Sequence, residues 1–180
     1  STASGLKQQI KDLKEQKKTV VSKLKEDTKV MIQAKRDEFK LRLQTIKDQR
    51  KKTLLERINA KLESINMKNT NRFTEVLTRL QTILDKIIQS SNDEKILAEA
   101  KIAQSAISTA KTAVTDQTEK TYIMQITDES ALKLNAGATT SQLRQDLIAV
   151  YKLVVDAKQA VQKLRTDTVI IQKEATSSAN

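Results

Sequence analysis

Ile96-Leu97-Ala98-Glu99-Ala100-Lys101-Ile102-Ala103-Gln104-Ser105-Ala106-Ile107 opens a stretch whose core positions recur in steps of four and three. They are Ile96, Ala100, Ala103, Ile107, Ala110 and Val114, continuing through Gln117, Thr121 and Met124. A mean step of about 3.5 residues places them on one helix face and makes a left-handed, coiled-coil-like seam. Alanine at several of these positions lets a neighbouring helix axis approach closely. The same step returns in Leu143, Leu147, Val150, Val154, Ala157, Val161, Leu164, Thr168 and Ile171. With no proline and only two glycines, Gly5 and Gly137, the chain has little turn chemistry for sheets. The fold class is all-α: an elongated helical bundle or coiled coil with a long N-terminal helix.

Upstream of these seams the period changes. Ile10, Val21, Ile32, Leu43, Leu54, Ile65, Val76 and Ile87 recur at every eleventh residue. Eleven residues make three turns at about 3.67 residues per turn, so this stripe stays on one side of a nearly straight helix. Unbroken from Leu6 to Gln89, such a helix would be on the order of 125 Å long. It cannot bury its stripe alone.

Three breaks are readable. Gln89-Ser90-Ser91-Asn92-Asp93-Glu94 carries capping-box spacing from Ser91 to Glu94, which announces a new helix. Asn135-Ala136-Gly137-Ala138-Thr139-Thr140-Ser141 offers Gly137 as a helix C-terminus, with Thr139 and Gln142 as the next N-terminus. Thr127-Asp128-Glu129-Ser130 is a softer stop before Leu132 and Leu134. The asparagines Asn66, Asn69 and Asn71 read as a polar interruption of a continuing helix, because the seam resumes in phase at Phe73, Val76 and Leu80. A hairpin there is the alternative. The expected organisation is a basic N-terminal helix over 1–53, a three-helix bundle over 54–175 (54–89, 92–127 and 141–175), and a tail over 176–180. The N-terminal helix either folds back as a fourth helix or projects onto a neighbouring subunit, and its surplus seam favours projection.

Histidine and cysteine are absent. That removes the commonest general base, thiol nucleophiles, disulfides, and the usual ligands of zinc, haem and iron–sulfur clusters. The four aromatics are Phe39, Phe73, Tyr122 and Tyr151, with both tyrosines near a heptad seam and their hydroxyls expected at the bundle edge. Adjacent carboxylates at Glu26-Asp27, Asp37-Glu38, Asp93-Glu94 and Asp128-Glu129 point about 100° apart on a helix and do not converge on one substrate. Lys101, Lys111 and Lys120 read as solvated charges. No calcium loop, phosphate-binding loop or dinucleotide fingerprint occurs. No catalytic, cofactor or metal site is expected, and no enzyme. No apolar run approaches the eighteen or so residues that span a bilayer.

The charge is concentrated. Residues 1–57 carry 17 Lys and Arg against 8 Asp and Glu, a net of +9 out of +11 for the whole chain. The candidate basic face is Lys17, Lys18, Lys35, Arg36, Arg50, Lys51 and Lys52. Asp48 with Lys52 has the spacing of an i,i+4 pair. Such a face suits a polyanion, an anionic membrane surface or an acidic neighbouring subunit. Specific nucleic-acid reading is not expected, because no aromatic platform accompanies the cations.

Ala34-Lys35-Arg36-Asp37-Glu38-Phe39-Lys40-Leu41-Arg42-Leu43-Gln44-Thr45-Ile46-Lys47-Asp48-Gln49-Arg50-Lys51-Lys52 and Tyr151-Lys152-Leu153-Val154-Val155-Asp156-Ala157-Lys158-Gln159-Ala160-Val161 resemble uncharacterised exported helical coiled-coil proteins of candidate-phyla, Patescibacteria-type bacteria. The resemblance implies export and a surface or envelope location. The small-residue start Ser1-Thr2-Ala3-Ser4-Gly5 has the character left by signal-peptide cleavage, which also leads to an expectation of export. The leading expectation is a structural protein: a rod-shaped subunit, homo-oligomeric or polymeric, that assembles into a cell-surface filament. Its expected assembly seam is Ile10, Val21, Ile32, Leu43, Leu54 and Ile65. The alternative is a non-enzymatic binding module that presents the basic helix to a polyanion or anionic membrane.

Overall fold

The computed structural model describes residues 3–177, and the side chains at 3, 14, 16–29, 172 and 174–177 lie outside that description. Among the described residues the fold has four helices: α1 (Ala3–Gln44), α2 (Gln49–Ser90), α3 (Glu94–Glu119) and α4 (Leu132–Ser177). No strand occurs among the described residues. The chain runs up, down, up and down. At one end Lys7 reaches Asn92, Gln9 reaches Lys101, and Lys163 pairs with Glu99. At the other end Phe39 and Leu43 of α1 meet Met124 and Ile126 just beyond α3.

α3 is the central element: it packs on all three other helices, while α2 and α4 also pack on each other. Its heptad positions from Ile96 to Gln117 are buried without exception. The alanines at 100, 103 and 110 are fully covered, so neighbouring axes come close enough to enclose α3 on several sides. The α4 seam from Leu143 to Leu164 faces it, buried at every position except half-buried Leu147. This main cluster takes in Phe73, Leu77 and Leu84 of α2 and Ile10 of α1.

Several boundaries differ from expectation, each for a physical reason. The long N-terminal helix breaks at 45–48, with neither glycine nor proline. Thr45 and Ile46 bond back to the carbonyls of Arg42 and Leu43, and Ile46 is buried among Phe39, Leu55 and Met124. Asp48 then caps α2 by accepting from the amides of Arg50 and Lys51, a role in place of the expected pairing with Lys52. α1 therefore lies along α3 as a fourth helix, where projection onto a neighbouring subunit was favoured. The hairpin is here, and α2 runs straight through Asn66, Asn69 and Asn71.

α3 stops at Glu119, well short of 127, and Lys120–Ala131 carries no helix. Its N-cap is Asp93, whose side chain accepts from the amides of Lys95 and Ile96; Ser91 in turn accepts from the amide of Asp93. α4 begins at Leu132 instead of 141 and continues through 176 and 177, which were expected to be tail; residues 178–180 lie outside the described residues. Asp128 prepares its start by accepting from the amides of Ser130 and Ala131. Gly137 sits inside this helix with no positive φ, and Thr139 bonds back to the carbonyl of Asn135 instead of capping a new helix.

Candidate interaction surfaces

The expected assembly seam does not form one stripe. Ile10 and Leu43 are buried against the chain's own helices, Ile32 and Ile65 are half-buried, and Leu54 is 56% exposed. The break at 45–48 re-phases the helix, so the eleven-residue repeat crosses it in sequence but not in space. Val21, Lys17 and Lys18 lie outside the described side chains. A different pair on α1, Val30 and Leu41, stands 72% and 64% exposed, eleven residues apart and therefore on one face.

The cations of the hairpin are largely solvent-facing. Lys35, Arg36, Lys40, Lys47, Arg50 and Lys51 are exposed, and Lys52 is half-buried. Arg36 pairs with Glu63 of α2, and Lys51 pairs with Glu129 at 2.9 Å. That hydrogen bond raises the Lys51 ammonium above its ordinary value. Lys35, Lys40, Lys47 and Arg50 make no ion pair among the described residues.

A polar lock that the sequence did not announce lies inside the bundle. The Asn66 side-chain amide, from α2, donates to the carbonyls of Gln117 (2.9 Å) and Lys120 (3.3 Å) at the end of α3. Its own oxygen accepts from Gln117 Nε2 at 2.9 Å. Gln117 Nε2 also donates to Tyr122 Oη, and that hydroxyl donates to Asp146 of α4 at 2.7 Å. Lys120 Nζ lies 3.0 Å from the same carboxylate, and Gln142 donates to its other oxygen. Burial, then the contact with Asp146, pushes the Tyr122 hydroxyl well above its ordinary value. For Asp146, burial works upward but the bonds from Tyr122, Lys120 and Gln142 outweigh it and hold the carboxyl low. Helix termini leave carbonyls without intrahelical partners, and this borrowed amide explains why α3 ends where it does. Asn66, Gln117 and Tyr122 spend their side-chain donors on neighbours, while Gln117 Oε1 is buried without a hydrogen-bond partner. Tyr122 is thus buried, whereas Tyr151 stands at the edge with its ring centroid 6.2 Å from Phe73. Lys101 and Lys111 donate to Gln9 and Gln81.

Beside Phe73 and Tyr151 runs a groove of about 1090 Å³, lined by α2 and α4 alone. Its floor is apolar (Phe73, Val76, Leu147, Val154), and Ile148 and Tyr151 stand 48% and 56% exposed along it. Arg72, Arg79, Arg144 and Lys158 edge it, no carboxylate lines it, and none of the four makes an ion pair among the described residues. Sequence reasoning passed over these cations. The available signals were the seven-residue interval between Arg72 and Arg79 and the fourteen-residue interval between Arg144 and Lys158, each of which sets two cations on one face of a helix.

Among the described residues, no group of three or more carboxylates gathers as a metal site would require. Nor is any described helix long and apolar enough to cross a membrane. No protein-family model, curated protein or solved structure matches this chain.

Proposed function

We propose that this chain is a non-enzymatic helical scaffold that presents its basic α1–α2 hairpin to a polyanion. The observation that carries the reading is the set Lys35, Lys40, Lys47 and Arg50: exposed, without ion pairs among the described residues, and gathered on the segment holding +9 of the chain's +11 charge. Solvated cations clustered on a helical hairpin attract polyanions through counterion release, with no need for base-reading side chains. The resemblance to exported helical proteins would put such a polymer at the cell surface.

Heparin affinity chromatography of the full chain tests this. Substituting Lys35, Lys40, Lys47 and Arg50 together by Glu moves elution to markedly lower salt, each lost contact lowering the salt slope by roughly one. Unchanged elution overturns the reading.

Self-assembly into a filament is the second reading, and exposed Val30 and Leu41 on one face of α1 favour it. Apolar helix packing persists or strengthens in salting-out salts, the reverse of polyanion binding. Assemblies seen by sedimentation at high salt, and dissolved by Val30→Asp with Leu41→Asp, would support this second reading.

A further inference from the structure

We infer that the α2–α4 groove is the docking site for an acidic amphipathic helix from another protein. Its apolar floor runs from Leu62 to Leu80 on α2 and from Thr140 to Gln162 on α4. At about 1.5 Å per residue those spans are roughly 27 and 33 Å, the length of a helix of about twenty residues. Half-exposed Ile148 and Tyr151 offer the apolar anchors that a helix laid into a groove requires. Arg72 and Arg79 on one wall face Arg144 and Lys158 on the other, with no carboxylate between them. A guest helix with an apolar stripe flanked on both sides by Asp or Glu matches floor and rims together.

A second copy of this chain is a poor guest. A two-fold contact through the groove would bring like rims together on molecules that each carry +11. The four cations lie outside residues 1–57, so this inference stands independently of polyanion binding at Lys35, Lys40, Lys47 and Arg50.

Fluorescence anisotropy on the full chain provides the test. One probe is a labelled twenty-residue synthetic helix with a leucine seam flanked by Glu, and the other is its twin flanked by Lys. The Glu peptide binds at least tenfold more tightly than its twin, and backbone amide shifts on binding map to α2 and α4. Arg72→Glu with Arg144→Glu leaves a rim of two cations and two carboxylates and abolishes the preference between the two peptides, since specificity here is a difference set by the rims. Ile148→Asp, at a half-exposed position, weakens the Glu peptide about tenfold while the circular dichroism spectrum is unchanged.

Equal binding of the two peptides to the wild-type chain, or amide shifts that map elsewhere, overturns the inference. So does a wild-type dimer that Ile148→Asp dissolves, which makes a second copy the occupant. Saturable oleate binding with no peptide binding likewise overturns it in favour of an anionic amphiphile.

Discussion

α1 and α3 are both helices with regular apolar spacing, and the bundle uses them in opposite ways. Every heptad position of α3 from Ile96 to Gln117 is enclosed, because small alanines admit three neighbouring helices at once. α1 has one principal neighbour, so Ile10, Phe39 and Leu43 are covered while Val30, Met31 and Leu41 remain in solvent. Periodicity tells which face a helix can bury. The number of neighbours decides how much of it is buried, and that depends on side-chain volume at the contact.

The comparison breaks most visibly at Ile107 and Leu41. Ile107→Ala empties a fully buried site and costs about 2–5 kcal/mol in urea unfolding. Leu41→Ala, on an exposed position of α1, stays within about 0.5 kcal/mol. Equal losses at the two positions would show that α1 is covered as fully as α3.

The polar end of α3 sharpens the contrast through pH. Asp146, 17% exposed, has its carboxyl held low in the folded state. A depressed carboxyl stabilises the fold above its unfolded value, about 3.9, and that stabilisation is lost as pH falls through the folded value. Tyr122 has the opposite sign: its raised hydroxyl supports the fold below about pH 10, with the support lost as pH rises past the folded value. Asp146→Asn therefore costs about 1–2 kcal/mol at pH 7. That deficit shrinks toward pH 3, as read from urea midpoints of variant and wild type at both pH values. A deficit independent of pH would contradict the assignment.

The smallest effect belongs to Gly137. It lies inside α4 with no positive φ, and an added Cβ meets nothing within 4 Å. Gly137→Ala gains up to about 1 kcal/mol, a rise in melting temperature of roughly 2–4 °C for a chain of this size. A loss would mean that the glycine serves a contact not provided by this bundle.

The heptad seams were legible because their signal is local and repeated: Ile96, Ala100, Ala103 and Ile107 declare one face without help from elsewhere. The helix ends were less so. Nothing near Glu119 marks a stop, since the amide that donates to the carbonyls of Gln117 and Lys120 belongs to Asn66, far back in the chain. The bend at 45–48 likewise depends on the burial of Ile46 against Leu55 and Met124, partners that only folding brings together. Gly137 shows the converse, a local stop signal overridden by a start prepared at Asp128. For the surfaces, charge density on the first 57 residues was readable by counting. The cationic rim of the groove was not, because it is assembled from two helices whose pairing the sequence did not reveal.

The lock built by Asn66, Gln117, Tyr122 and Asp146 lies at the level of a third apolar cluster, Leu62, Tyr122 and Leu143, which Ile58 and Leu147 connect to its two neighbours. The α3-centred cluster lies on one side, and the smaller cluster of Phe39, Leu43, Ile46, Leu55, Met124, Ile126 and Leu132 lies on the other. Hydrogen bonds demand alignment that apolar packing does not, so this layer works as a register pin that holds α2, the end of α3 and α4 in one axial alignment.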